Sequence, residues 1–162
     1  GKARAEDLAR CMASGSRSSA MPFGAATAVV ASKKSPTSTR PYDTVRPLAD
    51  ALGLEVEAPC SKDQHERFAE HVRMHLADLG TVVAAWQHTH IPSLLEALGV
   101  RASVLKDFEK WPGACPSASW PEPSCCLGGS TCYEEIWHVR FSRDDAESSW
   151  RAVSVARLRE GF

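Results

Sequence analysis

Long apolar runs are missing from this sequence, and so is an excess of either charge. No stretch approaches the length that crosses a membrane as a helix. The 19 Lys and Arg against 20 Asp and Glu leave a net charge of -1 with the six His neutral. That balance gives no electrostatic reason to bind nucleic acid or an anionic membrane surface. The opening GKARAEDLAR is polar and amphipathic, unlike the apolar core of a secretory leader. We therefore expect a cytoplasmic chain with no nucleic-acid or membrane partner. Six Cys, unevenly spread, do not make a disulfide scaffold. No segment repeats another. What is present suits a folded domain: 162 residues, 43% hydrophobic and 24% charged, enough for one real core.

The apolar pattern alternates between the two backbone periods. Residues 2–13 place Ala5, Leu8, Ala9 and Met12 at helical spacing. A Ser/Gly-rich loop at 14–19 leads to AATAVVAS at 25–32, which reads as a strand. After the polar loop 33–39, Arg40 and Pro41 open a helix carrying Val45, Leu48, Ala49 and Leu52, with Gly53 at its end. LEVEA at 54–58 reads as a second strand. Residues 63–79 form a helix with Phe68, Val72, Leu76 and Leu79 on one face, stopped by Gly80. The β-branched run at 82–86 reads as a strand buried on both faces. It ends in the polar knot Gln87-His88-Thr89-His90, and Ile91, Leu94, Leu95 and Leu98 continue as a helix. Residues 101–132, with four Pro and four Cys, lose the pattern and read as an insertion. EEIWHVRF at 134–141 and WRAVSVAR at 150–157 read as an antiparallel hairpin at the sheet's edge. The order predicts one domain over 1–162: a three-layer α/β/α sandwich with a mostly parallel sheet.

Open α/β sheets bind ligands at the carboxyl ends of their strands. His88 falls at such a junction, where helix N–H groups also favour an anion. The residues alone leave it open between a cap and a ligand-binding group. His90 stays open between lining a pocket and capping the helix. His71 and His75 are four apart on one helix, a metal-ligand spacing, but no H-E-x-x-H pattern and no third ligand accompany them. A solvated helix face is the preferred reading, with no metal. Cys115, Cys125, Cys126 and Cys132 do not have the paired spacing of zinc knuckles, and free thiols are preferred over a local disulfide. Cys11 and Cys60 read as small packing residues. Trp111 and Trp120 suit either a pocket mouth or local packing.

Three stretches together resemble the histidine phosphatase superfamily, the phosphoglycerate mutase-like proteins, and especially its small fungal-type members. They are GKARAEDLA at 1–9, SPTSTRPYDTVRPLADALGLEVE at 35–57 and VVAAWQHTHIPSLLEALG at 82–99. The resemblance implies a phosphohistidine mechanism acting on a phosphate monoester, with no metal and no other cofactor. It places Arg40 at the phosphate-binding arginine of STRPYDT, with Thr44 one turn on, and His88 at the second, catalytic histidine. A planar, permanently charged guanidinium suits a phosphoryl group. Asp63 is the candidate acid, because the position after His88 is Thr89, which has no acidic proton to give. The family's nucleophile lies in Arg-His-Gly at the end of a first strand, and these 162 residues contain no such motif. Gly1 reads as mid-motif, so we expect a fragment whose first strand and nucleophile lie upstream, inactive as it stands. The expected ligand is a small phosphate ester or inorganic phosphate. The rivals are a non-catalytic member that binds a phospho-ligand or a protein, and a purely structural chain.

Overall fold

The computed structural model describes residues 2–13, 21, 24–77, 80–111, 135–145 and 148–159. Helix α1 spans Lys2–Met12. Strand β1 (Ala28–Ala31), helix α2 (Arg40–Leu52), strand β2 (Val56–Glu57), helix α3 (His65–Leu76) and strand β3 (Val82–Ala85) follow in order. A 3-10 turn (His88–His90) runs into α4 (Ile91–Ala97), and a one-turn helix α5 spans Ala102–Leu105. Strands β4 (Glu135–Ser142) and β5 (Arg151–Arg159) complete the described elements.

The first sheet has the order β2-β1-β3, all parallel. β1 is its centre, and Val29, Val30 and Ala31 are 0% exposed. Its alternating side chains divide the core in two. Val29 and Ala31 pack with Leu8, Ala9 and Met12 of α1 and Val45, Leu48 and Ala49 of α2. Val30 packs with Phe68, Ala69, Val72 and Leu76 of α3, with Leu94 and Ala97 of α4, and with Trp86. Helices therefore cover both faces of a parallel sheet, as strand–helix alternation requires. α2 ends where expected: Gly53 takes φ 67° and ψ 28°, a left-handed conformation that costs glycine little.

Two expectations need correction. The strand at 82–86 is not buried on both faces. β3 is an edge of its sheet, Val82, Val83 and Ala85 are half-buried and Ala84 is exposed. The centre belongs to β1 because β1 alone has a hydrogen-bonded neighbour on each side. The hairpin is not an edge of that sheet either. Among the described residues β4 and β5 pair only with each other, antiparallel, with a bulge between Arg140 and Phe141. Side chains attach the hairpin to the rest. Trp137 and Val139 pack on Leu95, Val100 and Phe108, and Ile136 reaches the α1–α2 side of the core. The Arg157 Nη2 donates to the Asp107 carbonyl at 2.7 Å, with its guanidinium over the Phe108 ring.

Cys60 is buried as expected, its thiol donating to the Gln64 carbonyl at 3.5 Å, and burial pushes its pKa up. Cys11, expected to pack, is exposed. Residues 112–132, with Trp120 and the four late cysteines, lie outside the described residues. Among the described residues no helix is long and apolar enough to cross a membrane.

Candidate functional site

β1 and β3 are adjacent and parallel, so the segments after them leave the sheet at the same edge. After β1 the chain forms a tight polar turn in which Ser35 and Ser38 exchange backbone hydrogen bonds of 3.0 and 3.2 Å. Thr39 then donates from Oγ1 to Asp43 Oδ2 at 2.6 Å. Arg40 follows as the first residue of α2, exposed, with Thr44 Oγ1 donating to its carbonyl at 2.8 Å. Pro beside it in the first turn removes no helical hydrogen bond.

After β3, Trp86 turns inward against Phe68, with ring centroids 4.9 Å apart. Its Nε1–H donates to the Lys62 carbonyl at 2.8 Å, tying the turn after β3 to the loop after β2. Gln87 is extended and His88 opens the 3-10 turn, which closes through His90 N–H to the Gln87 carbonyl at 2.9 Å. His88 is half-buried, and Thr89 is exposed and accepts from the Gln87 amide at 3.3 Å.

Arg40 and His88 both line one extended cleft of about 1730 Å³, which runs along β3 from Gly80 to His88 and also takes in side chains of α1, α2, α3 and α4. Lys62, Thr37 and Ser38 line it too, so loops after all three parallel strands contribute to its wall. Lys62 was not picked out from the sequence, although it follows β2 at the level where Arg40 follows β1 and His88 follows β3. The apolar wall includes Val82, Val83 and Trp86 from one sheet and Ile136, Val139 and Phe141 from the other. Trp111 lines the cleft and stacks on Trp137, centroids 5.0 Å apart.

Asp63 does not share this lining. It lies with His65 on a second hollow of about 480 Å³. The Ser61 side chain and its own backbone N–H hold its carboxyl below the ordinary value, so it stays ionised and has no proton to donate near neutral pH. His90 is likewise elsewhere. Its Nδ1 shares a 3.0 Å hydrogen bond with His65 Nε2, and burial, then His65 and Lys62, lower its pKa.

The cleft has a different carboxyl. Glu135 is buried, and burial raises its pKa. Its Oε1 accepts from Trp137 Nε1–H at 2.6 Å and pairs with Arg157 Nε at 3.1 Å, while Oε2 has no hydrogen-bond partner among the described residues. The sequence carried a signal for it: in EEIWHVRF, Glu135 has the same parity as Trp137, Val139 and Phe141. His71 and His75 are not on a solvated face. Both are half-buried and both reach Glu57.

A three-stranded parallel sheet covered on both faces by helices defines an α/β protein. Compared with family models, curated proteins and solved structures, the chain matches none.

Proposed function

We propose that this chain is a histidine phosphatase-like domain, of the phosphoglycerate mutase-like kind, whose cleft grips a phosphoryl group through Arg40 and His88. The observation that carries the reading is that both line one cavity and that both follow adjacent parallel strands, β1 and β3, which leave the sheet at the same end. A guanidinium fork and an imidazole, with Lys62 nearby, suit a tetrahedral anion in chemistry and charge. Further support comes from two open strand edges. Among the described residues β3 pairs only with β1 and β4 only with β5, yet both line the cleft. The reading accounts for that gap with a further strand bearing the attacking histidine. In a chain that supplies it, the same grip would serve hydrolysis or transfer of a phosphomonoester through a phosphohistidine.

These 162 residues hold no Arg-His-Gly, so the chain binds phosphate without turning over its esters. Titration calorimetry with inorganic phosphate and an assay with an aryl phosphate test both halves. A charge-assisted contact is worth about 1.5–3 kcal/mol, so Arg40→Ala and His88→Ala should each weaken binding about ten- to a hundredfold. Phosphate binding that survives both substitutions sinks the proposal. A non-catalytic phospho-ligand binder is the second reading, favoured by Thr89 after His88 and by Asp63 lying off the cleft. A longer chain that supplies the attacking histidine yet binds the ester without cleaving it would select that alternative.

A further inference from the structure

β2 is two residues long and forms one edge of its sheet. Val56 packs into the α1–α2 side of the core. Side chains alternate along a strand, so Glu57 is turned to the opposite face, where α3 lies. α3 presents Phe68, Ala69, Val72 and Leu76 to the core. His71 and His75 sit three residues beyond Phe68 and Val72, on the shoulder of that stripe, one turn apart. The shoulder meets the sheet's edge at Glu57. His75 Nε2 donates to Glu57 Oε2 at 3.2 Å. His71 Nε2 lies 2.7 Å from the same oxygen, is shielded from solvent, and has no partner in hydrogen-bond alignment. The rings stand edge to face, centroids 5.1 Å apart.

We propose that Glu57, His71 and His75 form a binding site for a divalent transition metal, zinc foremost. One donor atom from each residue lies within 4.8 Å of the other two, close to the separations around a shared ion. Metal binding would move the ring protons to Nδ1, so that both Nε2 atoms offer lone pairs to the ion. Two imidazoles and a carboxylate are a borderline-soft set that suits zinc better than calcium or magnesium. The Glu57 side chain is 36% exposed, which leaves room for water to complete four-coordination. Such a metal would clamp the shortest strand to α3; none of the three residues lines the Arg40–His88 cleft.

Calorimetry with zinc, and visible absorption with cobalt as its spectroscopic substitute, should be run on the full 162-residue chain stripped by chelator and with its thiols alkylated. Binding of a single ion is expected, together with a rise in melting temperature that chelator reverses. Removing a partner that merely orients a ligand costs about tenfold in affinity, so Glu57→Gln, His71→Ala and His75→Ala should each cost at least that. Glu57→Gln keeps the shape of the side chain, so its effect is not one of misfolding. His65→Ala, on the same helix, should bind as the parent does. Unchanged affinity in the three variants, or zinc bound only before alkylation of the cysteines, overturns the site.

Discussion

At the scale of single residues, two carboxyls, one off the cleft and one in it, are shifted in opposite directions by their surroundings. Asp63, in water and hydrogen-bonded, is held ionised. Glu135, enclosed beside Trp137, is pushed toward its protonated form despite Arg157. The folded chain then holds more protons at Glu135 than the unfolded chain does. That contribution to stability is full below the ordinary glutamate value of 4.5 and is lost as pH rises through the raised one. In Glu135→Gln the amide keeps an acceptor for Trp137 and removes the buried charge. Its urea midpoint should therefore fall less than the parent's from about pH 4 to 8. Parallel curves for the two proteins would count against a perturbed Glu135. His88 was legible as a candidate because imidazole at a strand–helix junction is a local pattern. For Glu135 the strand parity was the one local signal, and its burial comes from residues far away in sequence.

At the scale of elements, the alternation of 2 and 3.6 periods located each described strand and all the longer helices. Turn chemistry fixed several ends. Gly53 was marked as a helix terminator, and its positive φ shows why. Gly80 was marked as a stop as well, but its second role is tertiary. A Cβ there would press on the Thr27 hydroxyl and sit 2.9 Å from the His75 carbonyl, where β1 and β3 begin to pair. The hydroxyl can rotate away and the carbonyl cannot. Gly80→Ala should cost about 1–3 kcal/mol of stability in urea unfolding, as overpacked sites do. No loss would mean that this approach relaxes freely. His71 and His75 show the limit of reading one helix at a time. Their spacing was visible, and Glu57 was visible, but only the sheet edge brings the three together.

At the scale of the whole molecule, two sheets share one body without a backbone hydrogen bond between named strands. The parallel sheet is closed over by helices on both faces. The hairpin is held by Trp137, Val139, Phe141 and Arg157 against α4, α5 and their flanks. Elements joined by side chains alone open separately from those joined by a ladder. Trp137→Ala should therefore speed amide exchange in Glu135–Ser142 while Ala28–Ala31 keeps its protection. Equal acceleration in both would show a single cooperative unit. The wide cleft follows from the same division, since it lies where one sheet's edge faces the other's.

The sequence by itself determined the kind and order of the elements, because periodicity and turn residues act over a few positions. It also placed Arg40 and His88 after parallel strands that leave one sheet at the same end. Tertiary structure alone decided which strand is central, that the hairpin forms its own sheet, and that Glu135 lines the cleft while Asp63 does not. Those outcomes depend on pairing and burial between distant segments, and no local pattern of side chains specifies which distant segment will be met.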